Sequence, residues 1–386
     1  MNALWLLLLP VAAGFGYFSA SRARKKSSKE QRLKRLRNSY LSSLNYIVNE
    51  RPDKAVDLFV NNIEVDTETI ETHLAIGKLF RRRGELDRAI RVHQNIVAQT
   101  ELDKRLRYQA LFALAKDYLN AGVLDRAEDL FLELIKADYE SQECVHSLLY
   151  IYQQEKAWQQ AIDIAERYTS YLADVGKVSL AHYYCQLAQQ DQEQNKPDLA
   201  FKKLRRALYF HPHCIRASLL LVDLLIARNQ YSAAWRQLQK IKDKQPEWLT
   251  EVLPRLQTVY VAMGRSDLLI DYLQDVLLSY PQVPVLDALL ELIQQYHGDQ
   301  AALSYARNQL QRQPGQNAIL NFVHLKLSVM NESAEDWFIL QQALRSLYQS
   351  KDQFRCVHCG FKLSNLHWQC PSCHHWETVK PTCLVS

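Results

Sequence analysis

The feature that most constrains this chain is an internal repeat of about 34 residues. A small residue precedes an amphipathic segment at intervals of 33 to 39 residues. The members of this column are Ala55, Ala89, Ala127, Ala161, Ala200, Ala234, Leu269 and Ala302. Four successive members are followed twelve residues later by a proline that ends the helix: Pro212, Pro246, Pro281 and Pro314. Such a period predicts stacked helical hairpins, so the expected fold is an all-α solenoid.

This pattern resembles the tetratricopeptide repeat, a helix–turn–helix unit in which a small residue lets two helices approach closely. We count about eight repeats over residues 40–316, followed by an atypical capping helical pair at 317–350. The two longest intervals, 38 and 39 residues, predict lengthened loops near residues 100–105 and 174–178. A generic helical bundle with accidental periodicity is the alternative. The resemblance implies a superhelix with a concave surface that binds protein segments.

The repeat register places a set of polar side chains on the groove-facing side of the first helices. These candidate partner-binding residues are Lys78, Arg81, Arg82, Lys116, Tyr150, Gln153, Gln154 and Gln189. An ordinary solvated helix face is the alternative for each of them. The neighbouring His211, His213 and Cys214 are interpreted as loop packing, and His182 as a packing residue or groove polar. The chain has no Gly-rich phosphate loop and no nucleophile elbow, so no catalytic residue is predicted.

The first twenty residues predict a transmembrane anchor. Residues 1–20 contain no charged side chain and are mostly apolar, and a helix of this length spans about 30 Å, the thickness of a bilayer core. The basic juxtamembrane segment 21–39 follows at once. By the positive-inside rule the N-terminus lies outside, which would be the periplasmic side of a bacterial inner membrane, and the rest of the chain lies on the cytoplasmic side. A cleaved signal peptide is the alternative, but it needs positive charge before the apolar stretch.

The distribution of charge argues against nucleic-acid binding. The chain has a net charge of +5, but the stretch from Arg22 to Arg37 holds nine basic residues and one acidic residue. That stretch contributes +8, so the remainder of the chain sums to −3. A protein-wide basic field, the usual mark of a nucleic-acid partner, is therefore not predicted.

Four of the eight cysteines form a motif with metal-ligand spacing. Cys356, Cys359, Cys370 and Cys373 read as two C-x2-C pairs separated by ten residues. Two such turns facing each other supply four thiolates in a tetrahedron, so the segment 351–386 is predicted to bind one metal ion. Zinc is preferred and iron also suits the thiolates. Disulfides or free thiols are the alternative. Nearby aromatic residues are expected to form a small core over the site: Phe354, Phe361, Trp368 and Trp376.

Both cysteine turns look like rubredoxin knuckles. The matching segments are Cys356-Val-His-Cys-Gly-Phe361 and Cys370-Pro-Ser-Cys-His-His-Trp376. The gap between them is shorter than in rubredoxins and matches a zinc-ribbon-like relative, which disfavours electron transfer. An electron carrier and a nucleic-acid-binding zinc ribbon on a repeat scaffold remain as alternative functions.

The order of anchor, basic flank, repeats and four-cysteine module resembles the lipopolysaccharide assembly protein B family of bacterial inner membranes. The resemblance implies a non-enzymatic adaptor that promotes FtsH-type proteolysis of the deacetylase committing carbon to lipid A. It also implies contacts with lipopolysaccharide assembly and export proteins and with an inner-membrane regulator. The residues do not distinguish a monomer from a homodimer.

Overall fold

The computed structural model describes residues 69–99, 102–280, 285–329, 335–348 and 354–382. Within these ranges the chain forms sixteen α-helices and then a three-stranded sheet. The helices are α1 Ile70–Arg82, α2 Leu86–Val97, α3 Lys104–Asn120, α4 Leu124–Lys136, α5 Ser141–Gln154, α6 Trp158–Arg167, α7 Asp174–Glu193, α8 Pro197–Phe210, α9 Ile215–Ala227, α10 Tyr231–Lys244, α11 Leu249–Ala262, α12 Ser266–Ser279, α13 Leu286–His297, α14 Asp299–Arg312, α15 Gln316–Val329 and α16 Glu335–Tyr348. The strands are β1 Phe354–Cys356, β2 Lys362–Leu363 and β3 Val379–Pro381.

The predicted anchor and basic flank, residues 1–39, lie outside the described ranges, as does the first member of the alanine column. In the part of the chain that the structure describes, no helix combines the length and apolar character needed to cross a bilayer. The chain divides into two compact units, Met1–Ile151 and Tyr152–Ser386. The first unit contains α1 to α4 and most of α5, and the second unit contains the end of α5, the later helices and the sheet.

The alanine column marks the second helix of the first seven described hairpins, as the sequence predicts, and the last pair, α15 and α16, contains no member. The seven described members have no exposed surface: Ala89, Ala127, Ala161, Ala200, Ala234, Leu269 and Ala302. A side chain of one carbon lets the helices of a hairpin approach closely, and larger aliphatic and aromatic residues one turn away fill the space beside it. The buried column confirms the tetratricopeptide-type solenoid.

The turns inside the first six described hairpins are closed by a residue in the left-handed conformation. After α1, Gly84 has φ +80°, and the N–H of Glu85 donates to the carbonyl of Phe80 at 2.9 Å. This is the Schellman geometry, which satisfies carbonyls that the helix end leaves without partners. The corresponding residues in the next five hairpins also have positive φ: Gly122, Lys156, Asn195, Asn229 and Gly264. Lysine and asparagine therefore adopt the left-handed conformation at this position as well. Sequence alone predicts that conformation only where the residue is glycine.

The two long repeat intervals are taken up partly by longer helices: the predicted loop at residues 174–178 is wrong, whereas residues 102 and 103 of the loop predicted at 100–105 do precede a helix. Helix α3 begins at Lys104 and has 17 residues, and α7 begins at Asp174 and has 20, whereas α1 has 13. Residues 174–178 lie inside α7 because they contain no proline and an isolated glycine costs a helix only about 1 kcal/mol.

The first unit contains a buried hydrogen-bond network that makes Gly77 sensitive to substitution. A Cβ atom at Gly77 would lie 2.4 Å from Nε2 of His93. His93 cannot move away because its Nδ1 is held by Asp117, whose carboxylate also accepts from Arg81 at 2.7 Å. Gly77→Ala should therefore destabilise this unit by about 1–3 kcal/mol, despite alanine's better helix propensity.

Urea unfolding followed by circular dichroism would measure that loss. Gly315→Ala is the matched control, because nothing lies within 4 Å of a Cβ at Gly315. Equal midpoints for both variants would contradict the proposed overlap with His93.

Candidate metal centre and its contact with the helices

A small antiparallel sheet brings the two cysteine pairs together. β1 pairs with β2 and with β3, in the order β2-β1-β3. Cys356 ends β1, and Cys359 lies in the turn that leads to β2. The second pair lies in a loop closed by the isolated bridge between Gln369 and Trp376. Chain segments that are 14 residues apart in sequence thus meet at one end of the sheet.

Each cysteine pair is shaped by the same backbone turn. The N–H of Gly360 donates to the carbonyl of Cys356 at 2.9 Å, and the N–H of His374 donates to the carbonyl of Cys370 at the same distance. Both donors have positive φ, +77° for Gly360 and +58° for His374. Histidine accepts this conformation less readily than glycine, although it is enriched there among non-glycine residues. The two knuckles are therefore structurally equivalent.

The four sulfur atoms form a compact cluster. Sγ of Cys356 lies 3.7 Å from Sγ of Cys373, and Sγ of Cys359 lies 3.6 Å from Sγ of Cys370. All four ligand atoms lie within 4.8 Å of one another. A metal bound tetrahedrally by thiolates at about 2.3 Å requires sulfur atoms about 3.8 Å apart. The cysteines predicted from their spacing therefore converge with a geometry that fits one metal ion.

The thiol pKa values explain why this cluster needs a cation. Burial works to raise the pKa of Cys356, but a hydrogen bond with Thr378 and backbone N–H groups of the knuckle bring it down to about 6. Burial and the neighbouring sulfur atoms raise the pKa of Cys373 to about 12. One thiolate thus opposes ionisation of the next, and a bound cation removes that repulsion.

Trp376 lies against the helices of the second unit and does not cover the cysteines. Its ring stacks on His182 of α7, with centroids 4.6 Å apart, and meets Tyr183 edge-on. Its Nε1 donates to Oε1 of Gln153 at 3.0 Å, an oxygen that also accepts from Tyr183 at 3.2 Å. The indole is 8% exposed. It joins the module to α5 and α7.

Trp368 makes a second contact with the helices. Its ring stacks on Trp248, which follows α10, with centroids 5.4 Å apart. Leu366 packs against the same helical core. An ion pair between Lys380 and Glu247, 3.6 Å apart, lies beside this contact.

The sequence interpretation of these aromatic residues was wrong in three of four cases. Phe354 does lie in the small core of the module, with Leu363 and Val379. Phe361 is 45% exposed, and Trp368 and Trp376 face the helices. Three short strands hold too little apolar surface to enclose two indole rings, so these rings are buried against the helical repeats.

Glu377 adds a polar contact between the module and the helices. Its Oε2 lies 2.8 Å from Nε2 of His211, and its Oε1 lies 3.1 Å from Nε2 of His182. Burial disfavours the charged carboxylate, yet pairing with the two histidines lowers the pKa of Glu377 to about 2. Burial lowers the pKa of His182. The charged carboxylate is thus held by the imidazoles of His182 and His211. Sequence analysis assigned His211 to loop packing.

The candidate partner-binding residues fall into two groups. Four are exposed: Lys78, Arg82, Tyr150 and Gln154. The other four contact side chains of this chain: Arg81 with Asp117, Lys116 with Glu143, Gln153 with Trp376, and Gln189 with Arg216. Repeat register predicts the helix face on which a residue lies, but it does not predict which side chains of the same protein that residue contacts. Trp376, Glu377 and His211 had no sequence signal for their contact.

Comparison with known proteins agrees with the two parts of the fold. Residues 354–381 match the family model of the rubredoxin metal binding domain, and residues 72–107 match that of the tetratricopeptide repeat. Lipopolysaccharide assembly protein B of Escherichia coli K12 is 34% identical over 383 residues, which cover 99% of this chain and 98% of that relative. The protein of the same name from Haemophilus influenzae Rd is 31% identical over 397 residues, with the same coverage.

Proposed function

Since the chain belongs to the lipopolysaccharide assembly protein B family, we propose that it is a non-enzymatic adaptor that regulates lipopolysaccharide synthesis at the bacterial inner membrane. The observation that supports this most strongly is the similarity to the named relatives over 99% of the chain. Tetratricopeptide repeats support a role in holding other proteins, because their default use is to bind protein segments.

The tether is residues 1–20, with the basic segment 21–39 on the cytoplasmic side. A tether confines the helical repeats and the metal module to the surface of the membrane. It thereby raises their effective concentration near other inner-membrane proteins without any additional contact. Proximity is the main contribution that we assign to the anchor.

The partners in this proposal are an FtsH-type protease and, as its client, the deacetylase that commits carbon to lipid A. Lipopolysaccharide assembly and export proteins and an inner-membrane regulator are further partners. The exposed residues Lys78, Arg82 and Tyr150 in the first unit and Gln154 in the second are our candidates for contacts with them. Four further residues contribute to these surfaces only indirectly, because each already bonds to another side chain of this protein. They are Arg81, Lys116, Gln153 and Gln189.

We assign zinc to the four-cysteine centre. A closed shell of four thiolates leaves no open position for a substrate, which suits a structural metal. The residues Cys356, Cys359, Cys370 and Cys373 hold it and fix the two knuckles relative to each other. A colourless protein with one zinc ion at these thiolates is the expected result of elemental analysis. A red, reversibly reducible protein would instead identify iron and favour the electron carrier.

A crosslinked pull-down from membranes tests the adaptor role. The full chain and a chain lacking residues 351–386 are compared for recovery of the protease and the deacetylase, and deacetylase half-life is followed in parallel. We expect the full chain to recover both proteins and to shorten the half-life of the deacetylase several-fold. Recovery of neither protein by the full chain, with an unchanged half-life, would contradict the proposal.

A further inference from the structure

A second group of metal-ligand side chains lies where the module meets the helices. It consists of His182 in α7, Cys214 before α9 and Glu377 in the module. One ligand atom from each residue lies within 4.8 Å of the other two. None of these residues belongs to the four-cysteine centre. Two of the three come from the helical repeats and one from the module.

Three polar atoms of this group are buried and make no hydrogen bond. The side chain of His182 has no exposed surface, and neither does Cys214. Nδ1 of His182 makes no hydrogen bond, and the 3.1 Å contact between its Nε2 and Oε1 of Glu377 is an ion pair without hydrogen-bond geometry. A buried polar atom without a partner costs about 1–3 kcal/mol, so such atoms in a native protein indicate a bound water or ion.

We infer that His182, Cys214 and Glu377 bind a second transition-metal ion, such as Zn²⁺, which links the helices to the module. Imidazole nitrogen, thiolate sulfur and carboxylate oxygen together are ligands typical of zinc, whereas Mg²⁺ and Ca²⁺ prefer oxygen alone. Nitrogen and oxygen ligands at about 2.0–2.1 Å in a tetrahedron lie about 3.3 Å apart. The 3.1 Å between Nε2 of His182 and Oε1 of Glu377 is close to that separation.

His211 supplies the outer contact that a ligating carboxylate usually has. Its Nε2 lies 2.8 Å from Oε2 of Glu377, the oxygen that faces away from His182. A hydrogen bond at this position orients the carboxylate and leaves Oε1 for the metal. The three ligands occupy three positions of a tetrahedron, and water completes the fourth.

The charges around the group set the conditions for binding. Contact with Cys185 and burial raise the pKa of the Cys214 thiol, so the metal must displace its proton, which passes to solvent. Arg216 is buried nearby and donates to Gln189; its charge favours the Cys214 thiolate but opposes the cation. The thiolate and the Glu377 carboxylate together balance a divalent ion.

Metal content of the full-length protein tests the inference. Protein purified under reducing conditions is loaded with Zn²⁺, and weakly held metal is removed by gel filtration. We expect two zinc ions per chain in the wild type and one in Cys214→Ser and Glu377→Gln. Cys144→Ser is the matched control, since Cys144 is equally buried but belongs to no ligand group, and it should keep two.

Titration of the wild type with Co²⁺ decides the question without relying on a variant. The first equivalent should give the intense sulfur-to-cobalt absorption of a four-thiolate site. The second should add tetrahedral bands with the weaker charge transfer of a single thiolate. Saturation of the wild type at one equivalent would overturn the inference, as would two tightly held zinc ions in both Cys214→Ser and Glu377→Gln.

Discussion

Replacing both Cys356 and Cys359 with serine should leave the C-terminal module without its metal and unfolded. The two substitutions remove one of the two knuckles, and hydroxyl groups do not replace thiolates as zinc ligands. A structural zinc ion contributes an apparent 10–16 kcal/mol at neutral pH, which is more than a three-stranded module of this size can supply from its own core. The expected result is complete loss of this metal and rapid proteolysis between residues 354 and 382.

Elemental analysis and limited proteolysis of the full-length protein would measure both effects. His358→Ala is the control, because His358 is exposed and stacks on His375 beside the centre without belonging to the four-cysteine set. That variant should keep its metal and its protease resistance. If the double serine variant kept a protease-resistant module, the metal would not be the source of its stability. If the proposed function is right, the double variant also loses control of deacetylase turnover.

Trp376→Ala should release the module from the helices without unfolding it. Trp376 is buried, stacks on His182 and donates to Gln153, so its truncation removes a large apolar contact and a hydrogen bond together. Truncation of a buried tryptophan typically costs about 3–5 kcal/mol. We expect that loss in the free energy that holds the module against Gln153 and α7, with the metal still bound at the four cysteines.

Hydrogen–deuterium exchange would detect the release as faster exchange in α7, and elemental analysis would report the metal. Phe361→Ala is the matched control, an aromatic truncation in the same module at a residue that is 45% exposed, and should change exchange little. Loss of the four-cysteine metal in Trp376→Ala would contradict this prediction. It would favour the sequence interpretation, in which the tryptophan covers the cysteines.

The double cysteine variant and Trp376→Ala distinguish the folding of the module from its attachment to the helices. The cysteine substitutions act on how the module folds, because metal binding at the four thiolates contributes to its folding free energy. The tryptophan substitution acts on where the folded module binds. If control of lipopolysaccharide synthesis fails in both, the adaptor requires the module in its position on the helices. If it fails only in the cysteine variant, a folded module is sufficient.

Local sequence patterns were enough to predict the repeats and the metal ligands. The alanine column identifies the hairpins because helix packing within a hairpin depends on side chains a few turns apart, and these recur with the repeat. The cysteine spacing identifies the centre because two residues between ligands already place both sulfur atoms on one turn. Each prediction depends on contacts between residues close together in the chain. Ala89 and Cys356 both lie where these patterns predict.

Only the tertiary structure decided how the module is held. Trp376 bonds to Gln153 across 223 positions, and Glu377 pairs with His211 across 166. No periodicity or spacing relates such residues, since neither partner constrains the local conformation of the other. Gln153 is a further example. Repeat register predicts that its side chain faces a partner protein, but its amide oxygen accepts a hydrogen bond from Trp376 of the module. Contacts of this kind exist only after both segments have folded, because shape and hydrogen-bond geometry then select the partners.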